Sequence, residues 1–234
     1  CFNQIVADVF GFYAVQIGLP QINTLAENRM PLHALLINTH DRQKQRLLPE
    51  DNRIFALLGM HDGNKRIKPS KMDKYRQVEE FLRILEPALP EKKEKLSIVD
   101  LGCGHAYLTF AAHQYLRLQG IPVKVIGIDV RGAARDRNNK IAKDLGIEST
   151  IEFRAEEISD TKLEKADVAI ALHACDTATD DAIAWAVNHN AKLALLAPCC
   201  HHDIQSQMHE IPEPWSLVTR NGIMKERLGD LLTD

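Results

Sequence analysis

From Leu96 to Leu196 the chain alternates short apolar runs with amphipathic segments, and no other feature restricts its fold so tightly. The runs Leu96–Leu101, Val123–Ile128, Thr150–Arg154, Val168–Leu172 and Lys192–Leu196 have the length and composition of strands buried on both faces. Between them, residues near 106–119, 132–145 and 177–189 carry apolar positions at helical spacing. Strand–helix alternation predicts an α/β fold, a mostly parallel sheet covered by helices. Right-handed crossovers then bring the loops that follow the strands to one edge of the sheet, where such folds bind ligands.

The preceding residues follow a different pattern. Residues 1–60 read as a helical N-terminal region, with Ile5, Val9, Phe12, Ala34, Leu35 and Leu58 at helical spacing and breakers at Gly18, Pro20, Pro31 and Pro49. Residues 61–95 read as a basic linker followed by a helix. Ser70 is the expected cap, and Tyr75, Val78, Phe81, Leu82 and Leu85 would share one face over about Lys71 to Glu86. The remaining unit is 96–234. The residues after Leu196 hold a Pro-punctuated turn and a helix-like segment from Gly222 to Leu232, but no strand pair to finish a sheet. Together with a first residue that is Cys1 rather than Met, this leads us to expect a truncated chain with its C-terminal strands missing and a sheet edge left exposed.

The formal net charge is −3, so any nucleic-acid contact must come from a local patch. One such cluster exists: Lys65, Arg66, Lys68, Lys71, Lys74 and Arg76 are opposed by Asp62 and Asp73 alone, and would suit the phosphates of an RNA substrate. No apolar run is long enough to span a bilayer, and no membrane partner is expected. Five cysteines, two of them adjacent at Cys199 and Cys200, argue against a disulfide framework and for a reducing, cytoplasmic setting.

Chemistry concentrates in the loops after the strands. Asp100-Leu101-Gly102-Cys103-Gly104-His105-Ala106-Tyr107 runs from a strand through a glycine turn into a helix, whose free N–H groups and close backbone suit a ligand. Asp129 ends the next strand, about 25 residues on, where a carboxylate accepts the hydroxyls of a ribose. A dinucleotide is disfavoured, because Tyr107 stands where a third small residue belongs and Asp100 would repel a pyrophosphate. A cationic adenosine derivative, S-adenosylmethionine, suits the same acid.

Asp100 to Leu108 followed by Gly127-Ile128-Asp129 resembles the first two motifs of the class I S-adenosylmethionine-dependent methyltransferases, a Rossmann-like family. The resemblance implies that Asp100, Gly102, Cys103, Gly104 and Tyr107 line the methionine end and that Asp129 holds the ribose. An acid after the third strand would then meet the adenine, Glu156 or Glu157, with Glu157 preferred. The loop after the fourth strand would face the transferable methyl group. His173 and Asp176 there, with His201 after the fifth strand, are the expected catalytic residues, and His173 would also touch cofactor.

His173-Ala174-Cys175-Asp176-Thr177-Ala178-Thr179-Asp180 and Pro198-Cys199-Cys200-His201 are similar to a bacterial methyltransferase group of unassigned substrate. They are also similar to the eukaryotic tRNA acceptor-stem ribose 2′-O-methyltransferases, which carry glycine where this chain has Asp176 and add Cys/His zinc modules that it lacks. Two rival readings of these loops stand beside catalysis. His173, Cys175, Cys199, Cys200, His201 and His202 could hold a metal, although their spacing is not that of a structural zinc site. Alternatively, the fold could serve as a non-catalytic module that binds S-adenosylmethionine, RNA or protein.

Overall fold

The computed structural model describes residues 2–7, 13–17, 46–89, 95–163, 165–172, 177–197 and 212–220, with Met208, Met224 and Leu228. Its centre is the sheet that the alternation requires. Five strands run parallel: β3 (Leu96–Leu101), β4 (Val123–Asp129), β5 (Ile151–Ala155), β6 (Val168–Ala171) and β7 (Leu193–Leu196). They are ordered β7-β6-β3-β4-β5, so β3 is central, and the order reverses at β3, where the chain crosses from β5 to β6.

Side chains alternate between two cores, as strand geometry requires. Leu96, Ile98, Val125, Phe153, Val168 and Ile170 face one way, against α2 (Met72–Ala88), α3 (Tyr107–Leu118) and α4 (Gly132–Leu145). Val99, Leu101, Ile126, Ile128, Ala169 and Ala194 face the other way, against Ala182, Trp185 and Ala186 of α5 (Thr177–Asn188). This is a Rossmann-like α/β fold, and the strands and helices from Leu96 to Leu196 match their expected positions to within a residue or two.

The N-terminal reading needs correction. Among the described residues of 1–60, only α1 (Arg53–Leu57) is an α-helix. Phe2–Ala7 and Tyr13–Ile17 are strands β1 and β2. β2 lies antiparallel on β7, with Tyr13 opposite Leu196 and Gln16 opposite Leu193, and β1 lies antiparallel on β2. The sheet is therefore seven-stranded, and the edge expected to lie open at β7 is covered by strands from the other end of the chain. Short apolar runs such as Phe2–Ala7 fit helical and strand spacing equally well, and a partner edge remote in sequence decides between them. The helix expected at 222–232 falls outside the described residues except at Met224 and Leu228, which are helical.

α2 carries the expected apolar face: Tyr75, Val78, Phe81, Leu82 and Leu85 are buried in the same core as α3. Ser70 is not its cap; it lies in a 3-10 turn, Pro69–Lys71, and Lys71 takes the cap position. Glu79, also buried, accepts the amides of Leu47 and Leu48 at 3.1 and 3.0 Å and the guanidinium of Arg83 at 3.3 Å. The Tyr75 hydroxyl donates to the Leu48 carbonyl at 2.7 Å. These bonds fasten residues 46–60 to α2. Among the described residues, no helix is long and apolar enough to cross a membrane.

Candidate active site

The glycine turn leaves β3 at its carboxyl end and folds back over β4. The amides of Gly102 and Cys103 both donate to the Ile128 carbonyl, at 2.8 and 2.9 Å. Gly102 (φ 79°), Gly104 (φ 52°) and Ala106 (φ 56°) all lie in the left-handed region, which lets so short a segment reverse and enter α3. A Cβ on Gly104 would also sit 3.3 Å from the Arg131 guanidinium. The loop thus favours glycine for its conformation, while the Arg131 side chain near that Cβ is largely exposed and able to shift.

Asp129, the last residue of β4, faces this turn. Its Oδ2 accepts the Gly104 amide at 2.8 Å and Arg131 Nη2 at 3.0 Å, while its Oδ1 accepts the Arg131 amide and Nε at 3.0 and 2.8 Å. Burial pushes the Asp129 carboxyl up, but the Arg131 side chain and then the Arg131 and Gly104 amides outweigh it and hold the pKa below the ordinary value. Asn138, buried on α4, donates to the Gly104 carbonyl at 2.9 Å and fixes the other side of the turn.

Asp100 lies deeper, on the central strand, in register with Gly127 and Ile170. Its carboxylate accepts the Thr109 hydroxyl, and among the described residues no cation pairs with it. Burial raises its pKa to about 7; the Thr109 bond opposes this and nearby Asp129 adds to it. An uncompensated buried carboxylate at a ligand-binding turn suits a cationic ligand.

The other expected cofactor residues divide. Tyr107 opens α3; its hydroxyl donates to Gln77 Oε1 at 3.0 Å, and burial followed by Asp100 raises its pKa to about 12. The Cys103 thiol packs inward, 3.0 Å from where a Gly127 Cβ would be, so only the Cys103 backbone belongs to the turn. Burial, then Asp100 and Asp129, push that thiol far above its ordinary pKa. Glu156 and Glu157 follow Ala155, the register partner of Asp129, at the next strand end; Glu156 is half-buried and Glu157 exposed.

His173, Asp176 and His201 lie outside the described residues, as do Cys175, Cys199, Cys200 and His202. Among the described residues no His/Cys/Asp/Glu group could hold a metal ion.

Four residues of the site were not singled out by sequence: Thr109, Arg131, Arg137 and Asn138. Arg131 had a signal, an arginine two positions after a strand-end acid. The other three occupy unremarkable helix positions, and only the packing of α3 and α4 against the turn brings them in.

A glycine turn between two carboxylates stands at the strand ends beside the reversal point of a Rossmann-like sheet. A family model described as a methyltransferase domain matches residues 73–207, more than half of the chain, and the chain belongs to that family. No curated protein matches it. Among solved structures it is similar to the Trypanosoma brucei PRMT1 enzyme–prozyme complex with AdoHcy: 28% identity over 33% of this chain and 23% of that one, TM-score 0.29. A geranyl diphosphate methyltransferase in complex with SAM is 23% identical over 56% of this chain and 52% of that one, TM-score 0.39. The geranyl diphosphate C-methyltransferase of Streptomyces coelicolor A3(2) is 21% identical over 56% and 45%, TM-score 0.37. The chain thus spans from about a quarter to about half the length of these structures.

Proposed function

We propose that the chain is an S-adenosylmethionine-dependent methyltransferase of the class I type. The observation that carries this reading is the pairing of Asp129, at the rim of the glycine turn, with Asp100, buried behind it without a cation. S-adenosylmethionine would supply an electrophilic methyl group on a sulfonium, transferred by in-line displacement to an aligned acceptor. The donor set fits: Asp129 would accept the ribose hydroxyls once Arg131 moves aside, and ionised Asp100 would attract the cationic methionine end. Glu157, or Glu156 beside it, would meet the adenine amino group.

The acceptor belongs to the same proposal. By resemblance, His173 and Asp176 orient or deprotonate the nucleophile and His201 assists from the next loop. RNA is the substrate class that the basic residues 65–76 would suit, with the tRNA ribose methyltransferases as one analogy. A cytoplasmic location completes the reading.

The test is calorimetric titration with S-adenosylhomocysteine of the wild-type chain and of Asp129→Ala. Binding to the wild type that disappears in the variant supports the proposal. A wild type that does not bind, or a variant that binds as tightly, overturns it. The paired substitutions His173→Ala and Asp176→Ala then separate an enzyme, which loses turnover and keeps cofactor, from a binding module.

A further inference from the structure

Beside the glycine turn lies a second concavity, a cleft of about 160 Å3 lined by Leu58, Met60, Lys71, Lys74, His105, Tyr107 and Arg137. It lies below the roughly 300–1,000 Å3 range of small-ligand pockets and so suits a single group rather than a whole ligand. Two separate elements contribute its cations. Lys71 and Lys74 come from the start of α2, and Lys74 Nζ sits 5.2 Å from the centroid of the Tyr107 ring. Arg137 comes from α4 and donates to the His105 carbonyl at 3.3 Å, which ties it to the glycine turn itself.

These cations differ from the others around them. Arg76 is paired with Asp73, Arg83 with Glu79, Arg131 with Asp129, Arg135 with Asp136 and Lys192 with Asp167. Among the described residues, no carboxylate pairs with Lys71, Lys74 or Arg137. The His105 imidazole records the resulting field: burial lowers its pKa first, and Arg137, Lys74 and Arg131 lower it further. Outside the cleft the positive charge continues. Met60 accepts the Lys68 amide at 2.9 Å and Gly59 accepts Lys68 Nζ at 3.1 Å, so the tight turn bridged by His61 and Ile67 stands against the cleft wall and presents exposed Lys65 and Arg66.

We propose that this cleft is a phosphate subsite for the methyl acceptor, in which Lys71, Lys74 and Arg137 hold one backbone phosphate of an RNA strand. The proposal rests on the methyltransferase reading and adds to it where the acceptor is gripped. Three cations line the cleft, and none of them is paired with a carboxylate among the described residues. The volume admits one anionic group, and the line of cations outside it suits the next phosphates of a polymer more than an isolated phosphorylated metabolite.

The test uses fluorescence anisotropy of a labelled single-stranded oligoribonucleotide, with S-adenosylhomocysteine calorimetry in parallel. Each of Lys71→Ala, Lys74→Ala and Arg137→Ala should flatten the slope of log affinity against log salt by about 0.7, and the three together should weaken binding about tenfold or more at low salt. Lys74→Arg should retain binding, and Lys140→Ala, an exposed cation elsewhere on α4, should bind as the wild type does. S-adenosylhomocysteine affinity should be unchanged in Lys71→Ala and Lys74→Ala, which separates this proposal from the methyltransferase reading. A triple variant that binds RNA like the wild type overturns the subsite. So does loss of S-adenosylhomocysteine binding in the Lys71→Ala and Lys74→Ala variants, because the cleft would then hold the carboxylate of the cofactor. A wild type that binds a nucleoside monophosphate but no oligoribonucleotide overturns the polymer assignment.

Discussion

Asp100→Asn tests the electrostatics of the site most directly. The wild-type carboxyl has its pKa raised from 3.8 to about 7 by burial, with the Thr109 hydrogen bond opposing and Asp129 reinforcing the shift. The folded state therefore holds this proton more tightly than the unfolded state. The stability it contributes is fully present below about pH 4 and is lost as pH rises through about 7. A shift of about 3 units at about 1.4 kcal/mol each sets the ceiling near 4 kcal/mol. Asparagine is nearly isosteric, keeps an oxygen for the Thr109 hydroxyl and never ionises. At pH 8 the variant should therefore be more stable than the wild type, by up to about 4 kcal/mol. Urea unfolding of both proteins from pH 4 to pH 8 isolates the effect, because Asp167 and Glu152, whose pKa values are lowered by partners other than Asp100, contribute alike to both curves. The variant should also bind S-adenosylhomocysteine more weakly and lose any rise in affinity between pH 6 and pH 8. A variant that is no more stable at pH 8, or whose stability follows the same pH slope as the wild type, would refute the reasoning.

Other expectations concern packing and the turn. At Gly127 an added Cβ would lie 2.5 Å from the Phe153 ring and 3.0 Å from the Cys103 thiol, so Gly127→Ala should cost about 1–3 kcal/mol in chemical denaturation. An unchanged midpoint would show that the ring moves freely. Glu79→Ala removes the acceptor of the Leu47 and Leu48 amides. It should cost about 1–3 kcal/mol, with faster hydrogen exchange at those two amides as the diagnostic. Arg131 is largely exposed, its ion pair with Asp129 is worth at most about 1 kcal/mol, and its guanidinium occupies the carboxylate that the ribose needs. Arg131→Ala should therefore tighten S-adenosylhomocysteine binding by no more than about fivefold, whereas weaker binding would mean that Arg131 itself touches the ligand.

What the sequence determined on its own was local. A buried strand, an amphipathic helix and a glycine turn each declare themselves within a dozen residues. The elements from Leu96 to Leu196, the apolar face of α2 and the Asp100–Asp129 pair were legible for that reason. Even there, the direction of one side chain was not. Cys103 lies between two glycines of the loop, yet its thiol turns into the core because Gly127 leaves room opposite it.

Tertiary structure decided whatever depends on partners far apart in the chain. Tyr13–Ile17 becomes a strand because β7, far away in the chain, offers it an edge, and Phe2–Ala7 then pairs on Tyr13–Ile17; spacing within so short a segment carries no record of that edge. Lys71, Lys74 and Arg137 line one cleft because α2, α3 and α4 pack on the same face of the sheet; in sequence Arg137 stands far from the basic cluster of residues 65–76 that holds the other two. The titration of Asp100 likewise depends on the depth at which the central strand holds it, since burial is a property of the assembled core and not of the residues beside it.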